Sequence, residues 1–235
     1  MNRYHWAACS KYPTPCCEAC HATCRATGYD GFGNLSSKTL NGALQSIPVN
    51  PQTNRLTNAV YDANGNMTSG AGASIAYNVD NRMVRAMGVS GGMEIYWYAP
   101  DGKRMGRSLS DGTQLFMLNG IYGEELGTFT NDAQTGYAST RALSMNVYFA
   151  GGLIFQVALN GGVVLADRLG TNRASGARFR PYGDEITSTA NDREKFGTYT
   201  RDSYTGLDIS PTRAYASTYG RFNLADPYQA SGGPI

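Results

Sequence analysis

A tyrosine, a polar turn and an apolar residue recur along the first half of the chain, and this recurrence restricts the fold more than any other feature. YDGFGNL occupies residues 29–35, YDANGNM residues 61–67 and YNVDNRM residues 77–83. NPQTNRL (50–56) lacks the tyrosine, and YAPDGKRM (98–105) carries one extra residue. The starts at 29, 50, 61, 77 and 98 are 21, 11, 16 and 21 residues apart, hairpin-sized but too irregular for a strict solenoid period. In each unit Tyr closes a strand, a polar tetrapeptide such as residues 62–65 turns the chain, and an apolar residue such as Met67 opens the return strand. Four Asn-Gly pairs, led by Asn41, Asn64, Asn119 and Asn160, and three Asp-Gly pairs, led by Asp30, Asp101 and Asp111, mark seven expected turns. Between turns the text alternates as strands do: Glu94, Tyr96 and Tyr98 share one face, Met93, Ile95 and Trp97 the other. The expectation is an all-β chain of successive antiparallel hairpins. Residues 188–198, STANDREKFGT, are the exception: Ser188 or Thr189 as an N-cap and no β-branched run suggest a short helix or turn.

Composition agrees. The 29 glycines, and 16 tyrosines against 8 phenylalanines, suit tight turns joined by half-buried strands. With 20 Lys and Arg against 18 Asp and Glu the net charge is +2 and no basic block tracks a phosphate backbone, so nucleic acid is not an expected partner. The opening MNRYHWAACSKYPTPCC holds no apolar run of the length a secretory signal needs. Residues 142–166 carry no charge, yet Gly151-Gly152 and Gly161-Gly162 interrupt them and Asn146, Gln156 and Asn160 require partners in lipid. They are expected to be buried strands broken by turns, not a membrane span.

Two layers of motif resemble a known family. The first is the repeat, with Tyr29, Asp30, Gly33, Asn34, then Tyr61, Asp62, Gly65, Asn66, then Tyr77 and Arg82. The second follows in order: Asp167-Arg168-Leu169-Gly170-Thr171, Arg180-Pro181-Tyr182-Gly183, Thr205-Gly206-Leu207-Asp208, Arg213-Ala214-Tyr215, and Gly220-Arg221-Phe222 leading to Asp226-Pro227. Together they resemble the RHS or YD-repeat proteins, in the C-terminal part of the RHS repeat-associated core domain, over residues 28–235. The resemblance implies hairpins spiralling into a hollow β-shell that, in many bacterial members, encloses a toxin at the C-terminal end. The partners it implies are the rest of that shell and the enclosed toxin domain; the location is secreted or cell-surface through the parent protein, and no cofactor is implied. Asp226 matches the first Asp of the family's self-cleaving site, but the second Asp-Pro-x-Gly has no counterpart here, so self-cleavage is not expected. A shell segment taken alone is also expected to leave an unpaired sheet edge.

Residues 1–27 are different text. All five Cys (9, 16, 17, 20, 24) and both His (5, 21) lie there, and this head is expected to be disordered or not native. CEACH, with Cys17, Cys20 and His21, matches a c-type haem attachment pattern, and Met67, Met83 or Met105 would be the second axial ligand. Packing explains those methionines better. His5, Cys9, Cys17 and Cys20 form the pairs of a zinc site, although only seven residues, including Pro13 and Pro15, separate Cys9 from Cys17.

Beyond Cys24 no His or Cys remains, so neither a Ser-His-Asp nor a Cys-His site can form in the core. Glu124 and Glu125 are adjacent and face opposite sides of a strand, and the remaining carboxylates are scattered among turns, where Asp caps the backbone. No phosphate-binding glycine motif is present. The chain is therefore expected to be non-enzymatic. A cell-surface carbohydrate-binding or adhesion module is the alternative, with Trp97 and exposed tyrosines stacking on sugars.

Overall fold

The computed structural model describes residues 27–40, 43–131, 140–158, 162–174, 176–210 and 212–226. The haem and zinc candidates of the head, the turns led by Asn41 and Asn160, and Pro227 lie outside them. All regular structure among the described residues is β. The strands are β1 (Thr27–Tyr29), β2 (Leu35–Leu40), β3 (Ala43–Ser46), β4 (Val60–Tyr61), β5 (Met67–Gly70), β6 (Ala73–Tyr77), β7 (Met83–Gly88), β8 (Met93–Tyr98), β9 (Arg104–Leu109) and β10 (Gln114–Asn119). They continue as β11 (Glu125–Asn131), β12 (Thr140–Phe149), β13 (Gly152–Ala158), β14 (Gly162–Val163), β15 (Arg193–Glu194), β16 (Thr200–Arg201), β17 (Asp208–Ile209), β18 (Ala214–Ala216) and β19 (Arg221–Phe222). The chain divides into two compact units, Met1–Val60 and Tyr61–Ile235.

In the first unit β1, β2 and β3 form an antiparallel sheet, and Leu35, Ile47 and Leu56 are buried. The second unit is dominated by an open antiparallel meander running from β4 to β14, in which every neighbour in space is the next strand in sequence. A five-stranded antiparallel sheet, β15 to β19, follows. The expected tyrosine–turn–apolar grammar holds: β1, β4, β6 and β8 end on Tyr29, Tyr61, Tyr77 and Tyr98, while β2, β5 and β7 open on Leu35, Met67 and Met83. The edge expectation meets a physical answer, because both outer strands of the meander are two residues long, too short to template another chain.

The two faces of the meander are unlike. One packs Ala73, Ile75, Met83, Ala86 and Tyr96 against Leu207, Ala214 and Ala216 of the C-terminal segment. Glu94, Arg104 and Arg107 are buried on the same side. Cross-strand pairing lays out the opposite face in rows, Trp97–Gly106–Phe116–Phe129, Leu118–Gly127–Met145–Val157 and Val147–Phe155–Val163. Trp97 stacks along Phe116 with centroids 6.0 Å apart, and a Cβ on the intervening Gly106 would lie 2.8 Å from the Trp97 ring. Packing over a bare glycine thus accounts for the placement of Trp97.

Four expectations need correction. Of the helix or turn expected at residues 188–198 only a turn forms, closed by the Tyr199 N–H on the Phe196 carbonyl: Arg193 and Glu194 pair with Arg201 and Thr200, and Asp192 and Thr198 take positive φ (59° and 69°), which breaks a helix. Residues 142–149 and 152–158 are strands parted by a turn, as expected, but their outward side chains are exposed, Met145 and Val157 among them, because the sheet is covered on one face only. Of the described Asn-Gly and Asp-Gly pairs, those led by Asn64, Asp101 and Asp111 place a positive-φ glycine in the turn, whereas the turns beside Asp30 and Asn119 use Gly33 and Gly123. The extra residue of YAPDGKRM is not in the turn: Arg104 takes the place of Met67 and Met83 as the first return-strand residue, and Met105 is half exposed.

Candidate functional site

One turn geometry recurs through the chain. The first residue donates its N–H to the carbonyl four positions on, the fourth donates back to the first, and the fourth has positive φ, a type I turn closed by a bulge. It occurs at residues 30–34, 62–66, 78–82, 88–92, 99–103, 109–113, 120–124, 167–171 and 180–184. An Asp or Asn in first position closes it further: Asp62 Oδ1 accepts from the Asn66 N–H at 2.9 Å and Oδ2 from Asn66 Nδ2 at 2.8 Å. Asp167 accepts in the same way from the Leu169 and Thr171 N–H groups. The early repeat and the later Asp-x-Leu-Gly and Pro-Tyr-Gly motifs, distinct in sequence, are thus one device. Neighbouring turns also touch: Asn64 and Asn66 both donate to Asn81 Oδ1, and Arg82 lies where a Gly102 Cβ would fall within 2.7 Å of it. In the first unit, Asn34 donates to Asn54 in the same sense.

The tyrosine before the turn has a defined task. Tyr77 donates its hydroxyl to the Met67 carbonyl at 3.0 Å and Tyr98 to the Met83 carbonyl at 2.7 Å, each reaching the first return-strand residue of the preceding repeat. Asn119 Nδ2 does the same to Arg104 at 3.0 Å, and Tyr148 to Glu125 at 3.1 Å. The ladder thus extends beyond the tyrosine repeat to Asn119, legible only as an Asn-Gly turn, and to Tyr148. Burial pushes the Tyr98 hydroxyl up to about 12, with Arg104 opposing, so it stays a donor at any ordinary pH. Tyr98→Phe is expected to lower stability by about 1 kcal/mol, read from urea unfolding, because one carbonyl loses its partner.

Where the C-terminal segment meets β8 and β9, charges are buried together. Arg107 donates through Nη1 to Glu94 Oε2 at 2.7 Å, stands 3.0 Å from Asp202 Oδ1, and pairs through Nη2 with Asp192. Arg104 Nη1 holds both oxygens of Asp202, at 3.0 and 2.7 Å. Glu94 also accepts from the Tyr96 hydroxyl and from the Tyr204 N–H. Two arginines thus face three carboxylates. Burial, then Asp202, pushes the Glu94 carboxyl above its ordinary value while Arg107 holds it back. The Arg107 guanidinium is disfavoured by burial, yet Asp202, Glu94 and Asp192 hold its proton above the usual arginine range. Sequence alternation placed Glu94 with Tyr96 and Tyr98, but nothing in it named Tyr204, 110 positions from Glu94, or Asp202, 98 positions from Arg104.

A second buried cluster sits inside the C-terminal segment. Arg201 grips Asp208 with Nε and Nη2 at 2.7 and 2.8 Å and donates to the Gly183 carbonyl at 3.0 Å. Lys195 Nζ donates to Glu185 Oε2 at 2.6 Å. Beside it Phe179, Phe196, Tyr199, Tyr215 and Phe222 form an aromatic group, and Tyr215 donates to the Tyr182 carbonyl at 3.0 Å. Of the closing motifs, Gly206 (φ 67°) and Gly220 (φ 66°) make tight turns, and Arg221 pairs with Ala216 in the last hairpin. Arg213 lies 3.8 Å over the Phe222 ring and holds half-exposed Asp226 at 2.9 Å.

A cavity of about 660 Å³ opens between β10–β13 and the C-terminal segment. Glu124, Glu125, Asn146, Tyr148 and Glu194 line it, along with Lys103, Arg104, Asp192 and Arg193. Glu124 and Glu125, expected on opposite sides of a strand, both reach it, because Glu124 belongs to the turn and only Glu125 to β11. Burial, with Glu125 nearby, pushes the Glu194 carboxyl up to about 7. Among the described residues no group of three or more His, Cys, Asp or Glu is placed to hold a metal ion.

No family model matches the sequence, and no curated protein matches it. Solved structures do. The crystal structure of TcdB2-TccC3-Cdc42 superposes on 89% of this chain with a TM-score of 0.65 and 19% identity. TcdB2-TccC3 without its hypervariable C-terminal region covers 87% at TM-score 0.62 and 18% identity. A Tc holotoxin pore of Photorhabdus luminescens covers 89% at 0.61 and 17%. This chain spans 12% of the length of each. What these comparisons establish is a shared all-β fold with one stretch of Tc-toxin chains.

Proposed function

We propose that the chain is a structural segment of the β-shell of a bacterial RHS-type protein, one that encloses or displays a C-terminal effector and has no catalytic activity of its own. The observation that carries this reading is the ladder Tyr77–Met67, Tyr98–Met83, Asn119–Arg104 and Tyr148–Glu125. Each rung ties a hairpin to the preceding one through a main-chain carbonyl, so the device serves to propagate a sheet. The fold shared with TcdB2-TccC3 chains supports it. In this reading the parent protein is secreted or displayed at the cell surface, and the segment's partners are the remaining shell and its cargo.

The test is protease protection of the protein translated from the full genomic locus, carrying a protease-sensitive reporter fused at its C-terminal end. The reporter is expected to survive at least tenfold longer than the free reporter, and the intact mass of the present chain to stay constant on incubation. Digestion of the reporter at the free rate would overturn the enclosing role, and a self-cleaved product would overturn the non-catalytic one.

A further inference from the structure

The C-terminal segment is held to the covered face of the meander unevenly. Over β6–β8 it packs Leu207, Ala214 and Ala216 against Ala73, Ile75, Met83, Ala86 and Tyr96. Its polar ties land close by: Asp202 pairs with Arg104 and Arg107, Asp192 with Arg107, the Tyr204 N–H donates to Glu94 and the Met67 N–H to the Asn223 carbonyl. Over β10–β13 the cavity of about 660 Å³ takes the place of packing. Across it stand acids, Glu194 on β15, Glu125 on β11 and Glu124 in the turn before β11.

The charges around Glu194 are already engaged. On the meander side Arg104 holds Asp202 and Lys103 holds Asp101; Glu124 Oε2 accepts the Tyr122 N–H at 3.1 Å and Glu125 Oε1 the Thr128 hydroxyl at 2.6 Å. Burial, then Glu194 and Glu125, pushes the Tyr148 hydroxyl on β12 up to about 12, so it is a neutral donor at neutral pH. Within the segment Asp167 pairs with Arg173 and Lys195 with Glu185, while exposed Arg193 leaves β15 on the side opposite its neighbour Glu194. Glu194 is left to burial and to Glu125, and both favour its protonated form.

We infer that the β15–β16 corner is a pH-sensitive latch: with Glu194 protonated it closes over the cavity against β11 and β12, and with Glu194 charged it parts from them and opens the cavity to water while the ties to β8 and β9 hold. A cavity, not a packed layer, lies between the corner and these strands, and sparsely packed regions open at the low end of the free-energy range. Opening returns Glu194 to its ordinary value of 4.5 from about 7. The ratio of open to closed therefore rises tenfold per pH unit between those values, about 300-fold in all.

Hydrogen–deuterium exchange of the whole chain tests this, read by mass spectrometry as protection factors so that the intrinsic pH dependence of exchange divides out. From about pH 5 to about pH 8, protection of residues 192–201 is expected to fall by about tenfold or more. At about pH 8 these residues are expected to exchange roughly a hundredfold faster than residues 104–109, which marks the opening as local. Glu194→Gln, which keeps the shape and cannot ionise, is expected to hold residues 192–201 protected across the range, and Glu125→Gln to shrink the fall. Protection of residues 192–201 that does not respond to pH overturns the inference, as does a full fall in both variants. Equal protection of the two stretches at about pH 8 also overturns it, because the whole unit would then be opening together.

Discussion

Arg107→Met is expected to destabilise the second unit by about 3–5 kcal/mol, because removing the cation leaves Glu94 and Asp202 buried beside one remaining arginine and Asp192 without its pair. Arg107 is 1% exposed and Glu94 and Asp202 are fully buried, so water cannot replace the lost partner. Chains of this size have about 5–15 kcal/mol in total, so the loss removes a large share of it. Urea unfolding followed by far-UV circular dichroism reads the effect. Adding Glu94→Gln should restore part of it, since a neutral amide tolerates the site better than a stranded carboxylate. A loss below about 1 kcal/mol would mean that the cluster relaxes to solvent and does not clamp the C-terminal segment onto β8 and β9.

Stability is expected to fall by up to about 3 kcal/mol between pH 4.5 and pH 7 through Glu194 alone, at 1.36 kcal/mol per unit of raised pKa. The folded carboxyl titrates at about 7, against an unfolded value near 4.5. Between those values the native state binds more proton than the unfolded one, so the contribution is complete below the unfolded value and lost as pH rises through 7. Glu94, also raised, acts in the same direction. The turn carboxylates oppose it at low pH: Asp62 and Asp167 keep their folded values below the ordinary range although desolvation opposes this, because backbone N–H groups and side-chain donors hold the charge, so their contribution is lost as pH falls below about 4. An optimum between about pH 4 and pH 5 follows. Glu194→Gln should flatten the fall toward neutral pH in melts taken between pH 4.5 and pH 7, and a fall unchanged in the variant would assign it to another group.

The elements legible in sequence were those whose chemistry is local. Tyr61, Asp62, Gly65 and Asn66 lie within six residues, and the Asp oxygens, the amide they accept from and the positive-φ glycine are all specified there. Four strand ends and three strand starts therefore fell where the repeat placed them. Reading failed where a local pattern had a nonlocal use. YAPDGKRM reads as carrying one extra residue, yet Arg104 occupies the methionine position and holds Asp202. The helix pattern of residues 188–198 lost to pairing with β16 and to the demand of Glu185 for Lys195. Glu194 and Glu125 meet across 69 positions, a distance no periodicity spans.

What the sequence by itself determined was the hairpin: its tyrosine, its turn and its direction of return, because a five-residue turn contains the backbone hydrogen bonds that close it. Which face of the resulting sheet is covered was decided only in three dimensions. Alternation separates Glu94, Tyr96 and Tyr98 from Ile95 and Trp97, and hydrophobicity alone would bury the second set. The C-terminal segment instead supplies Asp202 and Tyr204 to the polar side, so the carboxylate and the arginines are buried as hydrogen-bonded pairs and the aliphatic and aromatic rows are left outside.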